Sequence, residues 1–221
     1  MVSEKPLCVH VVGLEGSGHH GLEPLIKSML FKAGDYKLVS RSPIQNILKD
    51  FFAKRKYSKQ IFEEKISKFF EENTEKIIFF DCSYPWAKFR TVDDQYDIIY
   101  LNELFFKYCE MKFIHLQRNI FNCIDSRRNL DGGLIQHARV IGPINKYMCN
   151  QLSILKSTRG NVFDISYENI DLELLIKIFN IDPSKMEVVR SCYESVFKIS
   201  KRDFLKKASL DEINEILEIL K

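Results

Sequence analysis

A glycine-rich segment near the start of the chain has the composition of an anion-binding loop. It runs from Gly13 to Leu22 and reads Gly-Leu-Glu-Gly-Ser-Gly-His-His-Gly-Leu. Glycine adopts backbone conformations that other residues avoid, so such a segment folds into a tight turn whose N–H groups converge on an anion. A helix that follows adds the positive end of its dipole. The residues predicted to contact the anion are Gly16, Ser17, Gly18, His19, His20 and Gly21.

The spacing from Gly13 to Gly18 resembles the Walker A pattern G-x-x-x-x-G-K-[ST], but its two charged or hydroxylic positions differ. His19 stands where the lysine should be, and His20 where the magnesium-binding Ser or Thr should be. Phosphoryl transfer from a triphosphate depends on that lysine and on the metal. A sulfuryl group carries less charge, and its transfer needs no metal clamp. The departure therefore argues against a kinase, and no metal ion is expected.

A transfer reaction at this loop also needs a group that accepts the acceptor's proton, with a pKa close to neutral. His19 and His20 are the candidates within the loop, whereas His115, inside a predicted strand, is expected to be a core histidine. Asp81, at the end of a predicted strand, and Glu15 are further candidates, although carboxylates near a basic cleft often have only a structural role. Lys88 and Arg90 could supply positive charge or could lie on a solvated face. Further charge could come from Arg127 and Arg128, and from the C-terminal Lys198, Lys201 and Arg202.

Five short runs rich in β-branched and aromatic residues predict the strands that position this loop. They are residues 7–12, 36–40, 77–81, 112–117 and 161–166. Segments with helical spacing of apolar residues lie between them, at 60–73 and 96–110. Strands separated by helices favour parallel βαβ units. The expected fold is therefore α/β, with a five-stranded parallel sheet flanked by helices.

The last third of the chain is predicted to be mainly helical. Residues 134–158 have a helical pattern, but Gly142-Pro143 should kink this helix or split it in two. Asp182 is expected to cap a helix that begins at Pro183. A final helix is predicted at 211–220.

Composition limits the class of protein. The 221 residues are 45% hydrophobic, which suits one α/β core, so residues 1–221 are expected to form a single domain. The net charge of +3 does not indicate a nucleic-acid partner. The six cysteines are dispersed without a C-x-x-C pair, and no stretch is long enough to span a membrane. We expect a cytoplasmic protein, although a Golgi lumenal domain without its anchor would have the same composition.

A second group of residues resembles the sulfotransferase superfamily. The fourth predicted strand ends in Arg118-Asn119, and Ser126 follows eight residues after Arg118. Superfamily members have an arginine at this strand end, usually in R-[DN]-P, with a serine at the same spacing. The segment Ser166-Tyr167-Glu168-Asn169-Ile170 resembles their Y-E-[DN]-L, which is largely structural in the family. A looser likeness is residues 80–85, Phe-Asp-Cys-Ser-Tyr-Pro, to a segment that lines the acceptor site.

The resemblance implies an enzyme that moves a sulfuryl group from 3′-phosphoadenosine-5′-phosphosulfate (PAPS) to a hydroxyl or amine acceptor. It also implies that Arg118 and Ser126 hold the 3′-phosphate of the donor. Two departures qualify the match. Many members have a lysine or arginine where this chain has Gly16, and many have a C-terminal glycine-rich loop with a lysine that has no counterpart here.

Two other functions stay open at this point. Residues 77–81 have the pattern of a Walker B strand that ends in Asp81, which would suit a nucleotide-dependent kinase. The missing loop lysine would also suit a catalytically inactive nucleotide-binding or scaffold protein of the same fold. The sequence does not identify the acceptor, for which a small molecule or a carbohydrate is expected, and it leaves the oligomeric state open.

Overall fold

The structure is a computed structural model that describes residues 5–33, 41–73, 77–84, 90–126, 132–199 and 208–221. Within these residues the strands form one parallel sheet in the order β2-β1-β3-β4. The strands are β1 (Leu7–Leu14), β2 (Ile77–Tyr84), β3 (Glu110–Gln117) and β4 (Val162–Ser166). The predicted α/β class and four of the predicted strands are thus confirmed. The remaining predicted strand, residues 36–40, lies outside the described residues.

The central strand β1 explains why the predicted strands are continuously apolar. Every residue of β1 is buried, because helices cover both faces of a parallel sheet. Cys8 and Val12 pack into the core on one face, whereas Val9 and Val11 pack into the core on the other. This alternation follows from the two-residue period of a strand.

Helices cover the two faces of the sheet unequally. One face carries α2 (Arg41–Leu48), α3 (Lys59–Glu72), α4 (Ile98–Phe105), α5 (Ile120–Asp125), α6 (Leu134–Arg159) and α9 (Leu210–Leu220). The other carries α1 (His19–Ala33), α7 (Leu172–Ile178) and α8 (Met186–Val196). A π-helical turn, Lys49–Ala53, extends α2, and single 3₁₀ turns lie at Val92–Asp94 and Pro183–Lys185.

Several helix starts are fixed by capping side chains. Asp182 accepts a hydrogen bond from Ser184 N, with Pro183 at the first position of its 3₁₀ turn, which confirms the predicted cap. Ser209 and Glu212 form a capping box at the start of α9. Asp97 accepts from Tyr100 N, so α4 begins later than the apolar pattern alone predicts.

Of the two outcomes predicted for Gly142-Pro143, a kink or a split, the split does not occur. α6 runs through Pro143 as one helix of 26 residues. A Cβ on Gly142 would lie 3.4 Å from Leu220 Cδ2 and 3.5 Å from the Ile219 carbonyl oxygen, so α9 packs directly on this point. The tertiary contact holds the helix together where proline removes a hydrogen bond. Despite the length of α6, no helix in the described ranges is both long and apolar enough to cross a membrane.

His10 is a polar residue at the centre of one apolar face. Its side chain is fully buried, its ring stacks on Phe80 with centroids 4.1 Å apart, and its Nε2 lies 3.2 Å from the Tyr96 hydroxyl oxygen. Burial lowers the pKa of His10 to about 3, against the smaller opposing effect of the Asp81 charge. His10 is therefore neutral in the folded protein at every pH near neutrality.

We expect this histidine to make the fold acid-sensitive. The unfolded chain binds a proton at His10 near pH 6.5, whereas the folded chain does not, so folding stability falls by about 1.4 kcal/mol per pH unit below that value. In His10→Phe the free energy of unfolding, measured with urea at a series of pH values, should fall less steeply between pH 6 and pH 4. Tyr96→Phe keeps the imidazole and should keep the wild-type slope. Equal slopes in His10→Phe and wild type would contradict the assignment.

Candidate functional site

The glycine-rich loop joins the central strand to the first helix, as predicted. β1 ends at Leu14, and α1 begins at His19. Ser17 N donates to Leu14 O at 2.9 Å, which closes the turn. Gly16 has a φ of 88° and Gly18 a φ of 110°, conformations that favour glycine. The loop is therefore a compact turn at the amino end of a helix, where backbone N–H groups lack intrahelical partners.

Two glycines of the loop lie directly against the other predicted motifs. A Cβ on Gly16 would lie 2.1 Å from Ser126 Oγ, and a Cβ on Gly18 would lie 2.0 Å from Tyr167 Cδ2. Real Cβ atoms do not make contacts this short. Ser126 therefore leaves room only for glycine at position 16, and Tyr167 leaves room only for glycine at position 18. The structure thus brings together three segments that the sequence singled out separately: the loop, the end of α5 and the end of β4.

Arg118 ties the same three segments together. Its Nη1 donates to Gly16 O at 2.9 Å, and its Nε lies 3.5 Å from Glu168 Oε1. Its guanidinium carbon lies 4.7 Å from the centre of the Tyr167 ring. The side chain is only 4% exposed. Arg118 therefore stabilises the loop through the Gly16 carbonyl, in addition to any role in binding a ligand.

Ser126 contacts the loop at the same residue as Arg118. Its hydroxyl donates to Cys123 O at 2.6 Å, at the carboxyl end of α5. Both residues meet at Gly16, where Arg118 contacts the carbonyl and Ser126 faces the α-carbon. To donate to a phosphate, the Ser126 hydroxyl would have to leave the Cys123 carbonyl, whereas the guanidinium of Arg118 has further N–H donors besides the one on Gly16 O.

The two loop histidines have different environments. His19 is buried, with Nε2 3.2 Å from Gly13 O and Nδ1 3.5 Å from Asp81 Oδ2. His20 is exposed. His20 is therefore open to a ligand on the outer side of the loop, whereas His19 and Asp81 lie beneath it. Among the candidates for added charge, Arg90 pairs with the buried Glu15 at 2.9 Å.

A cavity of about 400 Å³ opens beside the loop, between the carboxyl ends of β3 and β4 and the helices α5 and α6. Leu14 and Ser17 of the loop and Arg118 line it, together with His115 and Glu168. The Ser17 hydroxyl is buried and has no hydrogen-bond partner among the described residues. A buried hydroxyl without a partner is destabilising, so this atom is suited to accept or donate a bond to a ligand.

Two features of this site do not follow from the motifs. The segment at Tyr167 is expected to be largely structural, and its ring lies over Arg118 and against Gly18, contacts that the sequence does not predict. His115 was expected to be a core histidine, yet it lines the cavity and pairs with Asp164 at 2.9 Å. The two-residue alternation of side chains along β3 and β4 could have predicted the His115 contact, because it puts His115 and Gln117 on the same face as Asp164 and Ser166.

Some predicted contributors cannot be placed. Lys88, Arg127, Arg128, Lys201 and Arg202 lie outside the described residues. Of the C-terminal lysines, Lys198 is exposed, and its main-chain oxygen accepts from the Tyr167 hydroxyl at 3.4 Å. Across the described part of the chain, no group of three or more His, Cys, Asp or Glu side chains is arranged to hold a metal ion.

Comparison with known proteins gives little. No family model and no curated protein matches the chain. Among solved structures, a gluconokinase from Sinorhizobium meliloti 1021 is similar at 12% sequence identity, over 86% of this chain and 95% of that chain, with a TM-score of 0.35. A similarity this weak carries no argument about fold or function. The P-loop-like character of the chain rests instead on its own parallel sheet and on the strand–glycine loop–helix unit at its centre.

The close contact between Gly18 and Tyr167 can be tested with alanine. Gly18→Ala should lower the free energy of unfolding by about 2–5 kcal/mol, because it combines a disfavoured φ with a clash. Gly160→Ala is the matched control, with a φ of 65° and no atom within 4 Å of the added Cβ, and should lose only about 1–2 kcal/mol. Urea denaturation measures both, and Tyr167→Leu in the Gly18→Ala background should recover part of the loss. Equal effects at the two glycines would refute the contact.

Proposed function

We propose that this protein is a nucleotide-dependent group transferase that uses PAPS as its donor and transfers the sulfuryl group to a small-molecule or carbohydrate acceptor. The observation that carries the proposal is the meeting of Arg118 and Ser126 at Gly16. An arginine fork and a hydroxyl that converge on an anion-binding loop form a suitable grip for a second phosphate of the same ligand.

The residues of the site fit such a donor. The loop and the amino end of α1 suit the 5′-phosphosulfate, with Gly18, Gly21 and the exposed His20 as contacts. The unpartnered hydroxyl of Ser17 offers one more hydrogen bond. Arg118 would hold the 3′-phosphate with its remaining N–H donors, and Ser126 would join it by turning its hydroxyl away from Cys123 O. PAPS supplies the sulfuryl group and leaves as 3′-phosphoadenosine-5′-phosphate (PAP).

The position of His19 favours this donor over a triphosphate. A Walker lysine reaches the β- and γ-phosphates, whereas His19 is buried and its Nε2 faces the Gly13 carbonyl. The loop thus lacks the cation that neutralises a triphosphate. A sulfuryl donor has less negative charge at its reacting end than a triphosphate, so it needs less positive charge in the loop.

A nucleotide-dependent kinase is the second candidate, and one observation favours it. Asp81 is buried in β2, the strand that pairs with β1, and its carboxylate lies 3.5 Å from His19, the residue at the Walker lysine position. This is the relation expected between a Walker B aspartate and a Walker A loop. A third possibility, an inactive nucleotide-binding protein, is motivated by the internal hydrogen bonds of Arg118 and Ser126. We place the protein in the cytoplasm under all three.

Calorimetric titration with PAP, beside ATP with Mg²⁺, separates these functions. We expect PAP to bind without metal and Arg118→Ala to weaken that binding by about 10- to 100-fold, the value of a hydrogen-bonded charge. Ser126→Ala, which leaves the arginine in place, should weaken it less. Arg139→Ala is the matched control, because Arg139 is an exposed arginine of α6 that pairs with Glu215 of α9.

Each other result has a defined meaning. Preference for ATP with Mg²⁺, lost in Asp81→Asn, would replace the sulfotransferase by the kinase. Binding of PAP without turnover of any hydroxyl or amine acceptor would support the inactive protein. Binding of neither nucleotide would overturn the proposal.

A further inference from the structure

A second cavity is lined by residues outside the glycine-rich loop. Its volume is about 550 Å³, which lies within the range of small-molecule sites. The residues that line it come from the π-helical turn Lys49–Ala53, the start of α3, the segment at the start of α4 and the middle of α6. It shares no lining residue with the cavity at Arg118. A ligand bound here would therefore contact residues other than those proposed for the nucleotide.

Aromatic rings form the apolar part of this cavity. Phe52 is buried, and the ring of Tyr100 lies edge-on to it with centroids 6.3 Å apart. Phe51 stacks on Phe62 with centroids 4.1 Å apart and an angle of 5° between the ring planes. Lys59 Nζ lies over the Tyr100 ring, 5.0 Å from its centre. Each ring is thus held by another ring, and Phe51 and Phe52 give the cavity a preformed apolar wall for a flat ligand.

Charged side chains of both signs line the same cavity without pairing with one another. Arg55 and Lys59 supply positive charge, and Asp93 and Asp97 supply negative charge. Arg55 Nη2 donates to the main-chain oxygen of Asp93 at 2.6 Å, and Lys59 Nζ lies 3.9 Å from Glu63 Oε1. Within the described ranges no ion pair joins either cation to Asp93 or Asp97. The cavity therefore offers a positive and a negative partner at the same time.

Asp97 has one carboxylate oxygen to offer a ligand. Its Oδ1 caps α4 by accepting from Tyr100 N at 2.9 Å, whereas no residue of the described part of the chain donates to Oδ2. Burial raises the pKa of the Tyr147 hydroxyl on α6, and the charges of Asp97 and, less strongly, Asp93 raise it further. Both carboxylates therefore lie near this hydroxyl, where their combined charge suits an ammonium group.

Arg55 has a backbone conformation that favours glycine. Its φ is 52°, and Lys56 N donates to Asp50 O at 2.8 Å where the π-helical turn ends. Glycine would adopt this conformation without strain, and strain of this kind is common at ligand-binding sites. The guanidinium is exposed, and one of its N–H groups bonds to Asp93 O. Its remaining N–H groups form a planar fork that matches a carboxylate.

We propose that this cavity binds a free amino acid with an aromatic side chain. The carboxylate of the ligand pairs with Arg55, its ammonium group pairs with Asp97, and its ring packs against Phe51 and Phe52. A zwitterion satisfies both charges at once, whereas a simple acid or a simple amine leaves one of them without a partner. The inference goes beyond the function proposed above, because it involves no nucleotide.

Three related compounds test the two charges separately. L-Phenylalanine carries both, hydrocinnamate lacks the ammonium group, and phenethylamine lacks the carboxylate. We expect L-phenylalanine to bind in the absence of nucleotide. Hydrocinnamate should bind about 10-fold more weakly, since Asp97 is half-buried, and phenethylamine about 5-fold more weakly, since Arg55 is exposed. NMR titration of the isotope-labelled full chain measures the three Kd values, and the amide shifts should concentrate in residues 51–59 and 92–100.

Two variants remove one charge each and keep the local backbone. Arg55→Gly suits the positive φ, so its free energy of unfolding in urea should not fall. It should weaken L-phenylalanine about 5-fold and leave the Kd of phenethylamine unchanged. Asp97→Asn can still cap α4, and it should weaken L-phenylalanine and phenethylamine but not hydrocinnamate. Arg139→Ala, on α6 and paired with Glu215, is the control and should change none of the three Kd values.

Each contrary result overturns a defined part of the inference. Hydrocinnamate or phenethylamine that binds as tightly as L-phenylalanine overturns the zwitterion. Equal loss of all three compounds in Arg55→Gly overturns its pairing with the carboxylate. No binding of L-phenylalanine at millimolar concentration, or amide shifts confined to other parts of the chain, overturns the cavity as its site. None of these results changes the binding of PAP, so the inference and the proposed function can fail independently.

Discussion

The candidate site depends on one steric constraint: the loop lies so close to its neighbours that two of its positions have no room for a Cβ atom. Gly16 lies against Ser126, and Gly18 lies against the ring of Tyr167. Both also have positive φ angles. Close approach and backbone conformation thus require glycine independently. Because the loop follows the fully buried β1, its position relative to the sheet is fixed by the core.

Arg118 adds electrostatic contacts to this steric fit. Its guanidinium is bonded to the loop carbonyl of Gly16, stacked on Tyr167 and close to Glu168, while its side chain is almost fully buried. A buried guanidinium is stable only with such partners. The arginine that would bind a phosphate therefore also stabilises the conformation of the loop. Where a ligand displaces one of these partners, the lost contact reduces its net binding energy.

The local patterns of the sequence predict the scaffold well and the site in part. Apolar runs bounded by polar residues identify β1, β2, β3 and β4, since a parallel sheet buries both faces. They do not predict that α6 continues through Pro143, because α9 packs there from the far end of the chain. The meeting of Arg118 and Ser126 is expected from the resemblance of this segment to the sulfotransferase superfamily, not from the local pattern alone. The orientation of His19 does not, because it depends on Asp81 on another strand.

His19 and His115 show why a motif does not predict the contacts of a histidine. His19 stands in the motif, yet its two nitrogens lie near Gly13 O and the Asp81 carboxylate, with the ring buried under the loop. His115 stands outside any motif, yet it lines the cavity beside the loop, and the register of β3 and β4 pairs it with Asp164. In both cases the partner of the imidazole lies on another strand. The spacing of residues within the loop therefore predicts where the chain turns, whereas the parallel sheet decides which side chains face each histidine.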